Sequence, residues 1–196
     1  MDANNEHVDQ LTTITKAKGF LGREFLTWLW YTAETTTEKL QAVGREAGEE
    51  LSFDLWVDDR IVLDGNSGMA HQHVMKGGDP SRSREAEAAL ATGKTVREMK
   101  IGLNVKGVGE FTAVLNSEDL NPRSLRLPSP ESGEGVAKPS DMPIVTRLKY
   151  MDTFLAVLDG LFARFLALRV DEDWEQTGLA EMRAWIKKKQ ESGVFH

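Results

Sequence analysis

The residues in this sequence best suited to metal chemistry are two histidines and several aspartates. His71 and His73 lie two residues apart in a stretch predicted to be a strand, so both side chains would share one face and could hold a transition metal. The aspartates, whose oxygens suit hard cations, are Asp54, Asp58, Asp59 and Asp64. Their spacing matches no calcium loop, and aspartates are common in turns because they bond to the local backbone. A metal-dependent enzyme stays an alternative beside exposed strand histidines and turn aspartates.

No recognised catalytic motif is present in the chain. It contains no Gly-x-Ser-x-Gly elbow, no His-Glu-x-x-His zinc helix, no Walker loop and no Gly-x-Gly-x-x-Gly after a strand. It has no cysteine, which excludes disulfides, thiol catalysis and cysteine-ligated metal centres. We therefore expect a protein that is not an enzyme and has no cofactor.

Contact with phosphates is a third kind of chemistry open to this chain. The formal net charge of −7 over 196 residues argues against a protein that coats nucleic acid by bulk positive charge. Between residues 94 and 127, however, six basic residues stand against four acidic ones, an excess of two. The basic residues are Lys94, Arg97, Lys100, Lys106, Arg123 and Arg126. They could face phosphates or solvent, and the charge count leaves both readings open.

A short helix precedes these basic residues. Ala86, Ala89 and Leu90 fall at i, i+3 and i+4, which predicts a helix over residues 83–92. Gly93 stands where a glycine would end it.

Strands carry most of the basic residues. Apolar residues alternate over 94–105 and 110–115, which predicts two facing strands. The glycines of 106–109 suit a hairpin turn, and 124–127 is a short strand-like piece. These strands predict a sheet with one buried and one solvated face.

The first half of the chain supplies a helix and further strands. An aromatic-rich stretch over 20–31 has its apolar residues at helical spacing, which indicates a buried helix, although such a row could also stack on bases. Residues 32–50 are polar and predict a weak helix or a mobile connection. The alternating stretches 51–57 and 61–63 predict a hairpin that turns at Asp58-Asp59-Arg60, and 69–75 predicts a third strand.

The second half is predicted to be mainly helical. Residues 128–141 are rich in Pro, Ser and Gly and predict a flexible loop. The longest helical pattern then runs over 142–168, with an apolar stripe expected to be buried against the sheet. The fold class is therefore α+β, an antiparallel sheet packed against long amphipathic helices. We expect a domain over 1–170 and a C-terminal amphipathic helix as an appendage over 171–196.

Location follows from what the chain lacks. It has no apolar run long enough to span a bilayer, and its first residues lack the basic start and apolar core of a signal peptide. We expect a cytoplasmic protein.

The order of these elements resembles the C-terminal half of the RdgC family of bacterial recombination-associated proteins. The resemblance is carried by the helix and Gly-Lys-x-Val segment 85–96, the strands 99–105 and 111–115, and the Leu-Arg-Leu piece 125–127. The Trp-bearing segment 25–33 and the helix 154–165 occupy the places of similar family segments. The sequence departs from the family in its missing N-terminal portion, and in having Lys76 alone where neighbouring lysines are usual.

The resemblance implies a mixed α+β, non-enzymatic protein that binds DNA without sequence specificity, duplex in preference to single strands. Family members close as a homodimeric ring around DNA and oppose the RecA recombinase, so a homodimer or a partner chain, nucleoid association and control of recombinase access are expected. The implied DNA-binding residues are Lys76, Lys94, Arg97, Lys100, Lys106, Arg123 and Arg126.

An interaction module with the same fold that has lost DNA binding is the alternative. In that case Trp174, Trp185 and Ile186 of the final helix would form an exposed aromatic anchor for self-association.

Overall fold

The computed structural model describes residues 21–44, 49–65, 73–77, 83–129 and 142–192. The strands are β1 Leu40–Val43, β2 Glu50–Asp64, β3 His73–Lys76, β4 Thr95–Val105, β5 Gly109–Asn116 and β6 Arg123–Arg126. The helices are α1 at residues 21–35, α2 Arg84–Ala91, α3 Ile144–Arg169 and α4 Gly178–Ser192. The predicted α+β class, with an antiparallel sheet and a C-terminal helix, is confirmed.

All strand pairs in the sheet are antiparallel. The order is β1-β2-β4-β5-β6, and β3 pairs with β2. The two short strands β1 and β3 share one edge of β2, at opposite ends of it, while β4 pairs along the other edge. The long strand β2 is thereby central to the sheet.

The predicted helix and hairpin around residues 83–116 are confirmed. Ser83 caps α2 by accepting a hydrogen bond from the Ala86 N–H at 3.1 Å. Gly93 follows the helix with φ +84°, a conformation that glycine adopts without steric cost. Gly107 and Gly109, at φ +79° and +121°, make the turn between β4 and β5.

The hairpin predicted over residues 51–63 is wrong. These residues form one continuous strand, because β4 is long enough to pair on both sides of Asp58-Asp59-Arg60. The register shifts between Val57 and Ile61, so the three residues form a bulge rather than a turn. Turn-like composition suits both structures, and only the pairing partner distinguishes them.

The polar stretch 32–50 contains the strand β1, which its composition did not predict. Leu40 and Ala42 point into the core, and a Cβ added at Gly160 of α3 would lie 3.0 Å from the Ala42 Cβ. The glycine thus allows α3 to pack closely against β1.

The helices pack on one face of the sheet, called here the inner face. Met99, Ile101 and Leu103 of β4 are fully buried there. They belong to one core with residues from α1, α2, α3 and α4. Phe165 of α3 lies at its aromatic centre, 5.5 Å from Phe25 of α1 between ring centroids. No helix among the described residues is long and apolar enough to cross a membrane.

Two expectations about helix burial are wrong. Trp174 is 3% exposed and packs edge-on against Phe165, so it forms no exposed anchor. Leu148 and Met151, expected to be buried in α3, are 58% and 41% exposed, because no described element covers their side of the helix. The buried residues of α3 begin at Phe154.

Candidate nucleic-acid interface

The opposite side of the sheet, called here the outer face, is polar. No described helix contributes its buried residues to this side, since all four helices share the core on the inner face. The outer face carries Asp54, Trp56, Asp58, Lys100, Gly102, Asn104, Thr112, Val114 and Arg126. Apart from Gly102, these residues are half-buried or exposed. The predicted sheet with one buried and one solvated face is thus observed.

An open groove of about 1190 Å³ lies at the end of the outer face next to the β4–β5 turn. Its cations are Lys39, Lys100, Lys106 and Arg126, and its carboxylates are Asp58, Asp59 and Glu110. We call it the outer-face groove. With four cations and three carboxylates, the groove has a net charge of +1 in a chain of −7. Backbone of the glycine-containing turn 106–109 forms part of its wall.

The cation Lys100 is held by the bulge of β2. Its Nζ lies 2.8 Å from Asp58 Oδ2 and 3.0 Å from Asp59 Oδ1. Hydrogen bonds to Asp58 and then Asp59 raise the pKa of Lys100 above its ordinary value of 10.5. Lys100 is therefore firmly protonated, but much of its charge is already neutralised.

Lys106 and Arg126 are the more available cations of the groove. Lys106 is exposed in the β4–β5 turn, and Arg126 is exposed on β6, opposite Thr112 of β5. Neither forms an ion pair with a carboxylate in the part of the chain that the structure describes. An anion entering the groove would meet these two side chains first.

Two other predicted phosphate ligands lie at the far end of the sheet. Arg97 at the start of β4 pairs with Glu118 at 3.8 Å, and Arg123 pairs with Asp119 at 2.9 Å. The Arg123 guanidinium holds the pKa of Asp119 below its usual value. Arg97 lies three residues from Lys100 on β4, and Arg123 lies three residues from Arg126 on β6, which is about 10 Å along each strand, and neither arginine lines the groove.

The remaining predicted residues also lie outside the groove. Lys76 is exposed on β3, opposite Arg60 of β2. Lys94 is half-buried just before β4. The structure therefore brings together Lys100, Lys106 and Arg126 of the seven predicted residues, and leaves the other four apart.

Sequence reasoning missed two residues of this surface. Lys39 lies in the polar stretch before β1, where no periodicity announced a strand. Its Nζ is 3.4 Å from Asp54 Oδ2. Trp56 could have been found, because strict alternation along β2 already places it on the same side as Asp54 and Asp58.

The alternative metal site gains no ligand set from the structure. Asp58 and Asp59 contact the Lys100 ammonium. Among the described residues, no three histidine or carboxylate side chains converge on a point where an ion could sit. His71 lies outside the described residues, as does the predicted loop 128–141 beyond Ser129 and up to Asp141.

Comparisons with known proteins add no identity to this geometry. No family model, no curated protein and no solved structure matches the chain.

Proposed function

We propose that this protein binds DNA without sequence specificity, through the outer-face groove, and that it is not an enzyme. The observation that supports the proposal is that four cations line one groove of an acidic chain. They come from the segment before β1, from β4, from the β4–β5 turn and from β6. Such side chains contact phosphates, which are the same for every sequence. The resemblance to RdgC proteins extends the proposal to a role in limiting recombinase access to DNA.

The proposal can be tested by charge reversal on and off the groove. Lys106→Glu with Arg126→Glu removes the two groove cations that have no carboxylate partner among the described residues. Lys187→Glu with Lys188→Glu makes the same charge change on exposed residues of α4. Fluorescence anisotropy with labelled single-stranded and duplex DNA at low salt measures binding. We expect the groove variant to lose at least tenfold in affinity and the α4 variant to lose much less.

Two results would overturn the proposal. One is a wild-type protein that binds neither form of DNA at low salt. The other is an equal loss in both variants, which would mean that only bulk charge matters.

A second candidate function, self-association, is favoured by an apolar stripe at the start of α3. Ile144, Val145 and Leu148 are 70%, 74% and 58% exposed. Ile144, Leu148, Met151 and Leu155 follow at i, i+4, i+7 and i+11, which is the spacing of a helix-pairing seam. We propose that a second copy of the chain covers this stripe, which agrees with the homodimer expected from the resemblance.

A further inference from the structure

Trp56 occupies an unusual position on the outer face. It lies in a row of residues that runs across four strands, formed by Trp56, Gly102, Thr112 and Arg126. A Cβ at residue 102 would overlap the Trp56 indole, so the indole lies directly over the Gly102 backbone. The ring is thus supported from below by the sheet, while the residue keeps part of its surface exposed.

Trp56 differs from the other four tryptophans in its contacts. Trp28, Trp30 and Trp174 are buried in the core, and Trp185 packs against Trp30 at 5.6 Å between ring centroids. Within the described ranges Trp56 has no such aromatic contact, and its Nε1 has no hydrogen bond. Trp56 is half-buried, so part of its ring remains open to a planar ligand that could stack on it.

The surroundings of Trp56 identify the chemistry of what would cover it. Gly102 lies between Lys100 and Asn104, which both line the outer-face groove, so the ring borders the groove. Arg126 is three strand spacings away along the same row, about 14 Å. A flat aromatic ring on an open sheet, with cations beside it, suits a ligand that alternates planar bases with phosphates.

The form of the nucleic acid follows from base accessibility. In a duplex the faces of the bases are already stacked on one another, and only their edges reach a protein surface. A ring on an open sheet gains nothing from a duplex, but it can stack on an unpaired base. We infer that the groove takes single-stranded nucleic acid and that Trp56 stacks on one of its bases. This inference rests on the proposed function and departs from the duplex preference that the resemblance implied.

Substitutions at Trp56 test the inference. Trp56→Leu removes the ring and keeps an apolar side chain, while Trp56→Phe keeps a ring. With a labelled oligonucleotide of about 12 nucleotides, we expect Trp56→Leu to lose about 5- to 100-fold in affinity and Trp56→Phe to lose much less. Binding of the matching duplex should be weaker in the wild type and unchanged in both variants. Urea denaturation of each variant shows whether it folds.

Tryptophan fluorescence of the wild type tests the same contact without any variant that must fold. Since the other four tryptophans lie in or against the core, quenching by an added oligonucleotide would report Trp56. We expect quenching by the single strand and none by the duplex.

The outcomes separate the inference from the function on which it rests. If the wild type binds neither form, the proposed function is wrong. If it binds both forms equally, without quenching and without sensitivity to Trp56→Leu, the groove binds nucleic acid but the stacking inference is wrong. A folded Trp56→Leu protein that loses both forms equally also contradicts stacking, since Trp56 would then only shape the groove.

Discussion

At the scale of single residues, Lys100 has the most closely determined surroundings on the outer face. The bulge in β2 sets three residues, Asp58, Asp59 and Arg60, opposite the position of Lys100 on β4. The extra residues bring two adjacent carboxylates to one ammonium, which a regular strand could not do because its side chains alternate between faces. The bulge therefore serves to build a compact ion cluster of two anions and one cation.

The first prediction concerns this cluster. Lys100→Met leaves Asp58 and Asp59 beside one another without their cation. Because both carboxylates are accessible to solvent, we expect the substitution to lower the free energy of unfolding by about 0.5–1 kcal/mol at neutral pH. The pKa of Lys100 is raised in the folded protein above 10.5, so its contribution is fully present below that pH. The contribution is lost as the pH rises through the folded-state pKa.

The measurement is urea denaturation of wild type and Lys100→Met at about pH 8 and about pH 11. The difference between the two proteins should be constant up to the ordinary pKa and shrink above it. Lys187→Met, which removes an exposed cation of α4, is the matched control and should change little at either pH. An equally large difference between wild type and Lys100→Met at both pH values would contradict the assignment.

At the scale of elements, the local sequence pattern predicted a helix or strand correctly where the contacts that hold it lie close by in the sequence. The helix α2, the glycine that follows it and the β4–β5 hairpin all follow from residues within a few positions of one another. The strand β2 could not be predicted as one piece, because its continuity depends on pairing with β4, about forty residues later. β1 is held by β2 and by α3 rather than by its own weak pattern.

The apolar stripe of α3 shows another limit of periodicity. The pattern at Leu148 and Met151 is the same as at Phe162 and Phe165, so the sequence predicts burial for all four. The sheet and α1 cover only the later part of the helix, where Phe154 and Phe165 are fully buried. Periodicity identifies the face of a helix that is apolar but not what covers it.

The second prediction concerns this stripe. Leu148→Glu places a charge on a side chain that is 58% exposed, so the fold should be retained. If two copies pair through the stripe, the charge must be buried at their interface, which is strongly unfavourable. We expect Leu148→Glu to weaken self-association by at least tenfold, measured by light scattering or sedimentation over a range of concentrations.

A control variant separates the stripe from added charge alone. Ala167→Glu adds the same charge to an exposed position of the same helix, outside the stripe. It should leave the dimer intact. A wild type that is monomeric at high concentration would contradict the self-association proposal. An equal weakening of self-association in both variants would contradict it as well.

At the scale of the whole molecule, the net charge of −7 and a groove of net +1 coexist because the sheet sorts residues that are distant in sequence. A count along the chain finds an excess of basic residues between residues 94 and 127, but it does not show which of these residues lie together in the fold. Lys106 and Arg126 meet because β5 and β6 fold back beside β4, and Lys39 joins them from before β1. The same topology places Arg97 and Arg123 at the ends of β4 and β6 that lie away from the groove. The sequence could therefore predict that basic residues would form the candidate site, but not which of them would line the groove.

The last prediction concerns a carboxylate that neutralises part of the positive charge of the groove. Lys39 pairs with Asp54 at 3.4 Å, and both side chains are about half exposed, so a phosphate can compete for Lys39 only against that carboxylate. Asp54→Asn removes the competitor and keeps the shape of the side chain. We expect it to raise affinity for single-stranded DNA about 1.5- to 5-fold at low salt.

Salt dependence distinguishes a new phosphate contact from a general change in charge. For single strands, the slope of log K against log salt grows by about 0.7 for each phosphate neutralised. Asp54→Asn should therefore steepen the wild-type slope by about that amount, measured by anisotropy between about 50 and 200 mM salt. Glu172→Gln changes the net charge equally at an exposed position beyond the end of α3, outside the groove. If Glu172→Gln steepens the slope as much as Asp54→Asn does, the groove is not the site at which phosphates bind, and the long-range field of the chain accounts for binding instead.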